Sequence, residues 1–247
     1  MRTKTVFFII ITMIATISVS SFVSGKILFR DNFEDDNIGQ PPKNWEIGFK
    51  GKKKDDAEVV KDPKRNGNKV FSSPTERHDV DGSIYITGKG KDWTDYYVQW
   101  EMLFPKEFYM GIVFRFSGGE SFYLLDRRSN SKQLDFWKRQ GGWNNFGTSE
   151  DAQGLAIEKW WSFQLKISGK DFEVKMKDSK KKTKFSKLDP VLEASQGEFK
   201  KGDFGNYGWV LLDNVVVATT LNDFINPWAV SPDNNYITTW SRLKTID

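Results

Sequence analysis

Residues 96–126 read YYVQWEMLFPKEFYMGIVFRFSGGESFYLLD. Over Tyr96–Phe104 the side chains alternate. Val98, Trp100, Met102 and Phe104 point one way, and Tyr97, Gln99 and Glu101 the other, which is the period of a strand with one buried face. Met110–Phe116 repeats the pattern, with Ile112, Phe114 and Phe116 expected in a core and Val113 and Arg115 on the opposite face. Ser117-Gly118-Gly119-Glu120 then predicts a hairpin into a further strand, Phe122–Asp126. Three successive strands joined by short turns make an antiparallel sheet.

The same reading extends to both sides. Strands are predicted at Ile27–Phe29, Val70–Ser72, Ser83–Thr87, Gln133–Arg139, Trp161–Ser168, Phe172–Lys177, Gly208–Leu211 and Asn214–Ala218. Ser168-Gly169-Lys170-Asp171 predicts a second tight hairpin. In it Phe163, Leu165, Ile167, Phe172, Val174 and Met176 form the buried face, and Gln164, Lys166, Glu173 and Lys175 the wet one. No stretch keeps a 3.6-residue period. Closely spaced strands without helices between them imply an all-β, antiparallel two-sheet sandwich or jelly roll.

Composition narrows the partners. The 247 residues include 10 Trp, 20 Phe and 7 Tyr, more ring surface than a core of this size readily hides, and exposed indoles are suited to stacking on sugars. Net charge is +4 from 37 bases and 33 acids. Without Arg2 and Lys4, which lie in the first 25 residues, 35 bases face 33 acids, or +2. So weak a field argues against nucleic acid or an anionic membrane as the main partner. The runs Lys52–Lys54 and Lys180–Lys182 read as solvated loops. The absence of cysteine excludes disulfides, thiol chemistry and cysteine zinc sites.

Residues 1–25 have the layout of a signal peptide. Arg2 and Lys4 precede an apolar run over Val6–Ile17, and small residues follow, with Val23 and Gly25 suited to cleavage before Lys26. The run is short for a bilayer span; an uncleaved anchor is the alternative. The expectation is therefore a secreted or periplasmic protein with no stable membrane insertion once the leader is removed. It would comprise one domain over 26–220 and a C-terminal extension over 221–247. In that extension Trp228, Tyr236, Trp240 and Leu243 imply packing back onto the domain, with a short helix near 239–244.

The segments FRDNFEDDNIGQPPKNWEI (29–47), DWTDYYVQWEMLF (92–104), GIVFRFSGGESFYLLDRR (111–128), LDFWKRQGGW (134–143), WWSFQLKISGKDFEVKMKD (160–178) and GWVLLDNVVV (208–217) together resemble the laminin-G-like jelly rolls of the concanavalin A-like superfamily. Those include carbohydrate-binding modules on levanases and inulinases and the 3-keto-disaccharide hydrolase family. The resemblance covers most of 27–220 and is more specific for fold than for function. It implies that Arg115 faces a ligand groove. Glu101, Tyr123, Trp137 and Trp143 complete the candidate set for an oligo- or polysaccharide, with charged groups for vicinal hydroxyls and indoles for the ring. The structural alternative is an Arg115–Glu101 ion pair with the tryptophans in the core.

Two further chemistries were weighed on the residues. Asp31, Glu34 and Asp36 could meet Asp213 around a structural calcium ion, since first and last strands of jelly rolls often pair; a solvated acidic turn is the alternative. For hydrolysis, the E-x-D-x-x-E string of family 16 glycoside hydrolases is missing, and the acid that follows the tyrosine in the keto-disaccharide group is Leu124 here, after Tyr123. The single histidine, His78, sits in a polar stretch. Glu101 with Asp126 or Asp135 is the remaining carboxylate pair. Glycan binding without catalysis is the leading expectation, with a glycoside hydrolase or a surface protein-interaction module as rivals.

Overall fold

The computed structural model describes residues 25–51, 57–73, 82–128, 133–149, 155–224 and 227. The leader, Lys52–Lys54, His78 and the extension beyond 227, with Trp228, Tyr236, Trp240 and the expected helix near 239–244, lie outside the described residues.

Two antiparallel sheets face each other. The first has eight strands, in the order β13 (Leu192–Ser195), β12 (Asp171–Asp178), β11 (Trp160–Ser168), β6 (Tyr96–Leu103), β15 (Leu211–Ala218), β4 (Lys69–Ser72) and β3 (Glu58–Lys61). Its eighth strand, β1 (Ile27–Asp31), also pairs with β15. The second has seven, in the order β10 (Trp143–Thr148), β9 (Leu134–Arg139), β8 (Ser121–Arg127), β7 (Met110–Gly118), β14 (Asp203–Tyr207), β5 (Ile84–Ile86) and β2 (Glu46–Phe49). The ends of the sandwich meet on the first sheet: Lys26 N–H donates to Thr219 Oγ1 at 2.9 Å and Thr219 N–H returns to the Lys26 carbonyl at 3.0 Å.

Side-chain parity decides what lies between the sheets. Val98, Trp100, Met102 and Phe104 are buried there, with Phe163, Leu165, Ile167, Phe172 and Val174 from the β11–β12 hairpin and Ile112, Phe114, Leu125 and Phe136 from the other sheet. Trp100 stacks on Phe163 with ring centres 5.1 Å apart. Both expected tight hairpins form. β7 pairs with β8 at Gly118–Ser121 and β11 with β12 at Ser168–Asp171, so two residues turn each corner.

Three expectations need correction. Gly208–Leu211 is not one strand. Gly208, at φ 69°, turns the chain between β14 and β15, and a side chain there would meet the Tyr109 carbonyl at 2.8 Å. The pattern also missed β2, β3, β10, β13 and β14, which are four to six residues long and rich in Gly, Asn or charge, too short to display a period of two.

The largest correction is in β7. Arg115 has φ 47°, and β7 loses register with β8 between Phe114 and Gly118, and with β14 at the facing Asp203–Gly205. Across this bulge β7 advances three residues against two of β14 and four against two of β8, and side-chain parity inverts beyond it. Phe116, expected in the core, instead joins Ile84, Ile86, Val113, Phe122, Leu124 and Tyr207 in an apolar layer on the outer face of the seven-stranded sheet. That sheet is apolar on both faces, and the expected division into one greasy and one wet face holds only for part of the molecule.

Candidate functional site

The five residues expected to share one groove occupy three places. Glu101 points out from the eight-stranded sheet. Its carboxylate accepts from Arg65 Nη1 at 2.6 Å, Asn214 Nδ2 at 3.0 Å and Ser162 Oγ at 3.2 Å. Arg65 also reaches Asp213 at 3.2 Å and lies 4.6 Å over the Trp160 ring. The Glu101 group is thus a closed structural network.

Arg115 is buried inside the sandwich, 1% exposed. Its guanidinium donates to the carbonyls of Phe199, Thr94 and Gly169 at 2.7, 2.9 and 2.6 Å and lies over Phe172 at 5.4 Å. The bulge turned it inward, so it presents nothing to a ligand on either outer face. The expected pairing with Glu101 is absent too, because the two point to opposite sides of the eight-stranded sheet. Tyr123 is likewise internal: its hydroxyl accepts from Phe199 N–H at 2.8 Å and donates to the Gln196 carbonyl at 3.3 Å.

Trp137 and Trp143 do share a site. They line a hollow of about 290 Å³ on the outer face of the seven-stranded sheet, together with Tyr109, Leu124, Asp126, Arg128 and Tyr207. Strand register explains the shape. One rank across the sheet runs Tyr207, Gly111, Asp126, Asp135, and the next runs Gly205, Val113, Leu124, Trp137, Asn145. Gly111 lets β7 lie close against β8 at this rank, where a side chain would meet the Leu125 carbonyl at 2.0 Å. The two tryptophan rings meet edge to face, 6.4 Å apart.

The polar groups of this hollow are unusual. Asp126 and Asp135 sit directly opposite each other on β8 and β9, each 3% exposed. Asp135 is held by Arg128, Nε to Oδ2 2.9 Å, and the Arg128 guanidinium lies 4.4 Å over Trp137 and 5.3 Å over Tyr109. Burial, and then the nearby Asp135, push the Asp126 carboxyl up to about 8; Arg128 and the Trp137 indole oppose this less strongly. Among the described residues Asp126 Oδ1, Asp135 Oδ1 and Trp137 Nε1 make no hydrogen bond of ordinary geometry, although the indole N–H lies near enough to Asp126 to favour its ionised form. A buried polar atom left unpaired costs about 1–3 kcal/mol, and two of these belong to the lining of the hollow, Asp126 and Trp137, which suits it to a hydroxyl- or amine-bearing guest.

In the sequence Asp126 and Asp135 are expected only as partners for Glu101. Glu101 lies on the outer face of the other sheet, so neither pair with it can form. The signal for the pair that does form was present: the two acids are equidistant from the centre of the turn between β8 and β9. Tyr109, Arg128 and Tyr207 had no such signal, being loop or strand-end residues brought in by the sheet's register.

The expected calcium ligands do not assemble. Asp31 Oδ1 accepts from Phe33 N–H, and its Oδ2 from Asn44 and Trp45 Nε1; burial raises its pKa against those bonds. Glu34 accepts from Lys69 N–H at 3.0 Å, while the Lys69 ammonium donates to the carbonyls of Glu34 and Asp36, both at 2.7 Å. That lysine caps the loop oxygens a cation would take. Asp213 is engaged by Arg65, Asn68 and Asn214. No trio of His, Cys, Asp or Glu among the described residues is arranged to hold a metal.

No family model matches the chain, and no curated protein matches it in sequence. Solved structures do match in shape. A Bacillus subtilis protein of unknown function with a galectin-like fold superposes with a TM-score of 0.51 at 10% identity, over 77% of this chain and 94% of that one. What the two share is the fold, an antiparallel two-sheet jelly roll. Looser likenesses include carbohydrate-binding module CBM66 from Bacillus subtilis, with a TM-score of 0.45 and 14% identity over 72% of this chain and 92% of that one. Another is domain 4 of a Geobacillus stearothermophilus extracellular arabinanase in complex with arabinotriose, with a TM-score of 0.45 and 8% identity over 78% and 92%. No helix among the described residues of this jelly roll is long and apolar enough to cross a membrane.

Proposed function

We propose that the protein is an exported carbohydrate-binding domain whose site is the hollow over β7, β8 and β9. The observation that carries this is the coexistence, in one hollow, of two half-buried indoles with the buried carboxyl of Asp126 and the guanidinium of Arg128. A pyranose or furanose has a matching duality, with apolar C–H faces for the rings and hydroxyls at its rim for the carboxyls. Export follows from the leader-like layout of residues 1–25.

A glycan array, followed by calorimetry on the best ligand, tests the reading. Trp137→Ala should weaken the best ligand about tenfold or more, as expected for an anchoring aromatic, while Glu101→Gln, on the opposite face, should leave affinity unchanged. Absence of any glycan ligand, or equal loss in both variants, would overturn the assignment.

A second reading rests on the Asp126–Asp135 pair. An acid that holds its proton, with a second carboxyl group across the strand pair, has the composition that glycosidic bond cleavage requires. Release of reducing sugar that stops in Asp126→Asn would establish a hydrolase. Binding without turnover is the outcome expected, because Asp135 is already held by Arg128.

A further inference from the structure

We propose that the hollow selects an amino sugar, with the ammonium group of the guest lying against Asp126. This rests on the carbohydrate reading above and narrows it to a chemical class.

Charge matching carries the inference. Three acids, Glu120, Asp126 and Asp135, and two guanidinia, Arg128 and Arg139, lie over this part of the sheet. Arg128 is matched by Asp135 at 2.9 Å and Arg139 by Glu120 at 2.6 Å. Asp126 makes no ion pair among the described residues: Arg128, near enough to favour its charge, is taken by Asp135, and its partner across the strand pair is that same acid. A buried carboxylate without a counter-ion is costly, which is why this one holds its proton to about pH 8. A guest bearing its own positive charge supplies the missing base and lets the proton leave to solvent.

Of the unpaired buried atoms, the lining of the hollow carries Asp126 Oδ1 and Trp137 Nε1, while Asp135, opposite Asp126 on the next strand, is not part of it. An ammonium brings three N–H donors and no acceptor, so it matches the Asp126 oxygen once that carboxyl has given up its proton. Besides Leu124 and the paired Arg128, the remaining lining is aromatic, Tyr109, Trp137, Trp143 and Tyr207. Ring faces attract cations, and aromatic walls with a carboxylate form a recurrent ammonium pocket. The two arginines over Trp137 and Trp143 already use these faces in that manner.

The test compares three β-1,4-linked tetrasaccharides of one backbone at neutral pH by calorimetry: glucosamine, N-acetylglucosamine and glucose. The glucosamine oligomer should bind about tenfold or more tighter than either, the margin of a charge-assisted hydrogen bond. In Asp126→Asn that preference should collapse to about twofold or less while the hollow keeps its shape. If Asp126→Asn does not fold, the wild-type ranking alone decides. Equal affinities, or a ranking led by a neutral oligomer, overturn the inference and leave the carbohydrate reading standing. No binding of the glucosamine oligomer also overturns it, and the carbohydrate reading falls only if the wider array is blank too.

Discussion

Arg115 shows how one residue's backbone can relocate a function. Read by alternation it belongs on an outer face; its φ of 47° turns it inside, where it ties three carbonyls from three separate segments. Arg115→Ala would strand those carbonyls and should destabilise the fold by about 3 kcal/mol or more, since bonds to a charged donor contribute about 1.5–3 kcal/mol each. Urea unfolding would measure this, and the protein that remains folded should keep its glycan affinity. Asp126 makes a different prediction. Its carboxyl rises from 3.8 unfolded to about 8 folded, so the folded state holds the proton more tightly. Its contribution to stability is therefore fully present below 3.8 and is lost as pH rises through about 8. Thermal melts should show stability falling between pH 5 and pH 8, with Asp126→Asn flattening that slope. A slope unchanged in the variant would assign it to other groups. Asp213, raised to about 7 by burial, with nearby Glu101 adding to the rise, adds a slope of the same sign that Asp126→Asn leaves intact.

Among the strands, what was legible in the sequence follows length and regularity. β6, β11 and β12 have eight or nine residues each, enough for alternation to fix which side chains meet in the core. β7 is as long, yet its second half could not be read, because a bulge leaves no mark in a pattern of apolar residues. Phe116 and Arg115 simply exchange sides. The hollow was half legible. Trp137 and Trp143 fall beside one hollow, while Arg115, Tyr123 and Glu101 lie on faces they do not share with it. The floor of the hollow depends on how closely β7 and β8 approach at Gly111, where a methyl group would sit 2.0 Å from the Leu125 carbonyl and 2.8 Å from the Asp126 Cα. Gly111→Ala cannot be absorbed by a side-chain rotation. It should push the strands apart, cost about 1–3 kcal/mol or more, and weaken glycan binding through displacement of Asp126. Equilibrium unfolding and calorimetry on the same variant would test both effects, and retention of both properties would contradict the packing described.

For the molecule as a whole, the two outer faces divide the work. The eight-stranded sheet carries a closed ionic network around Arg65 and a first loop capped by Lys69, neither of which leaves a vacancy for a ligand. Lys69→Met should lower the melting temperature, by removing two charge-assisted bonds to loop carbonyls, whereas a chelator added to the parent protein should leave it unchanged. A chelator-induced drop would mean that a metal, rather than the lysine, holds that loop. The hydrogen-bonded meeting of Lys26 with Thr219 has an architectural corollary. Both ends of the sandwich leave from the layer that the hollow does not use, a short step apart. Such a body can be spliced into a longer polypeptide, hung from a support by either end, or permuted by bridging 219 to 26, and in each arrangement its mouth would still open away from the tether.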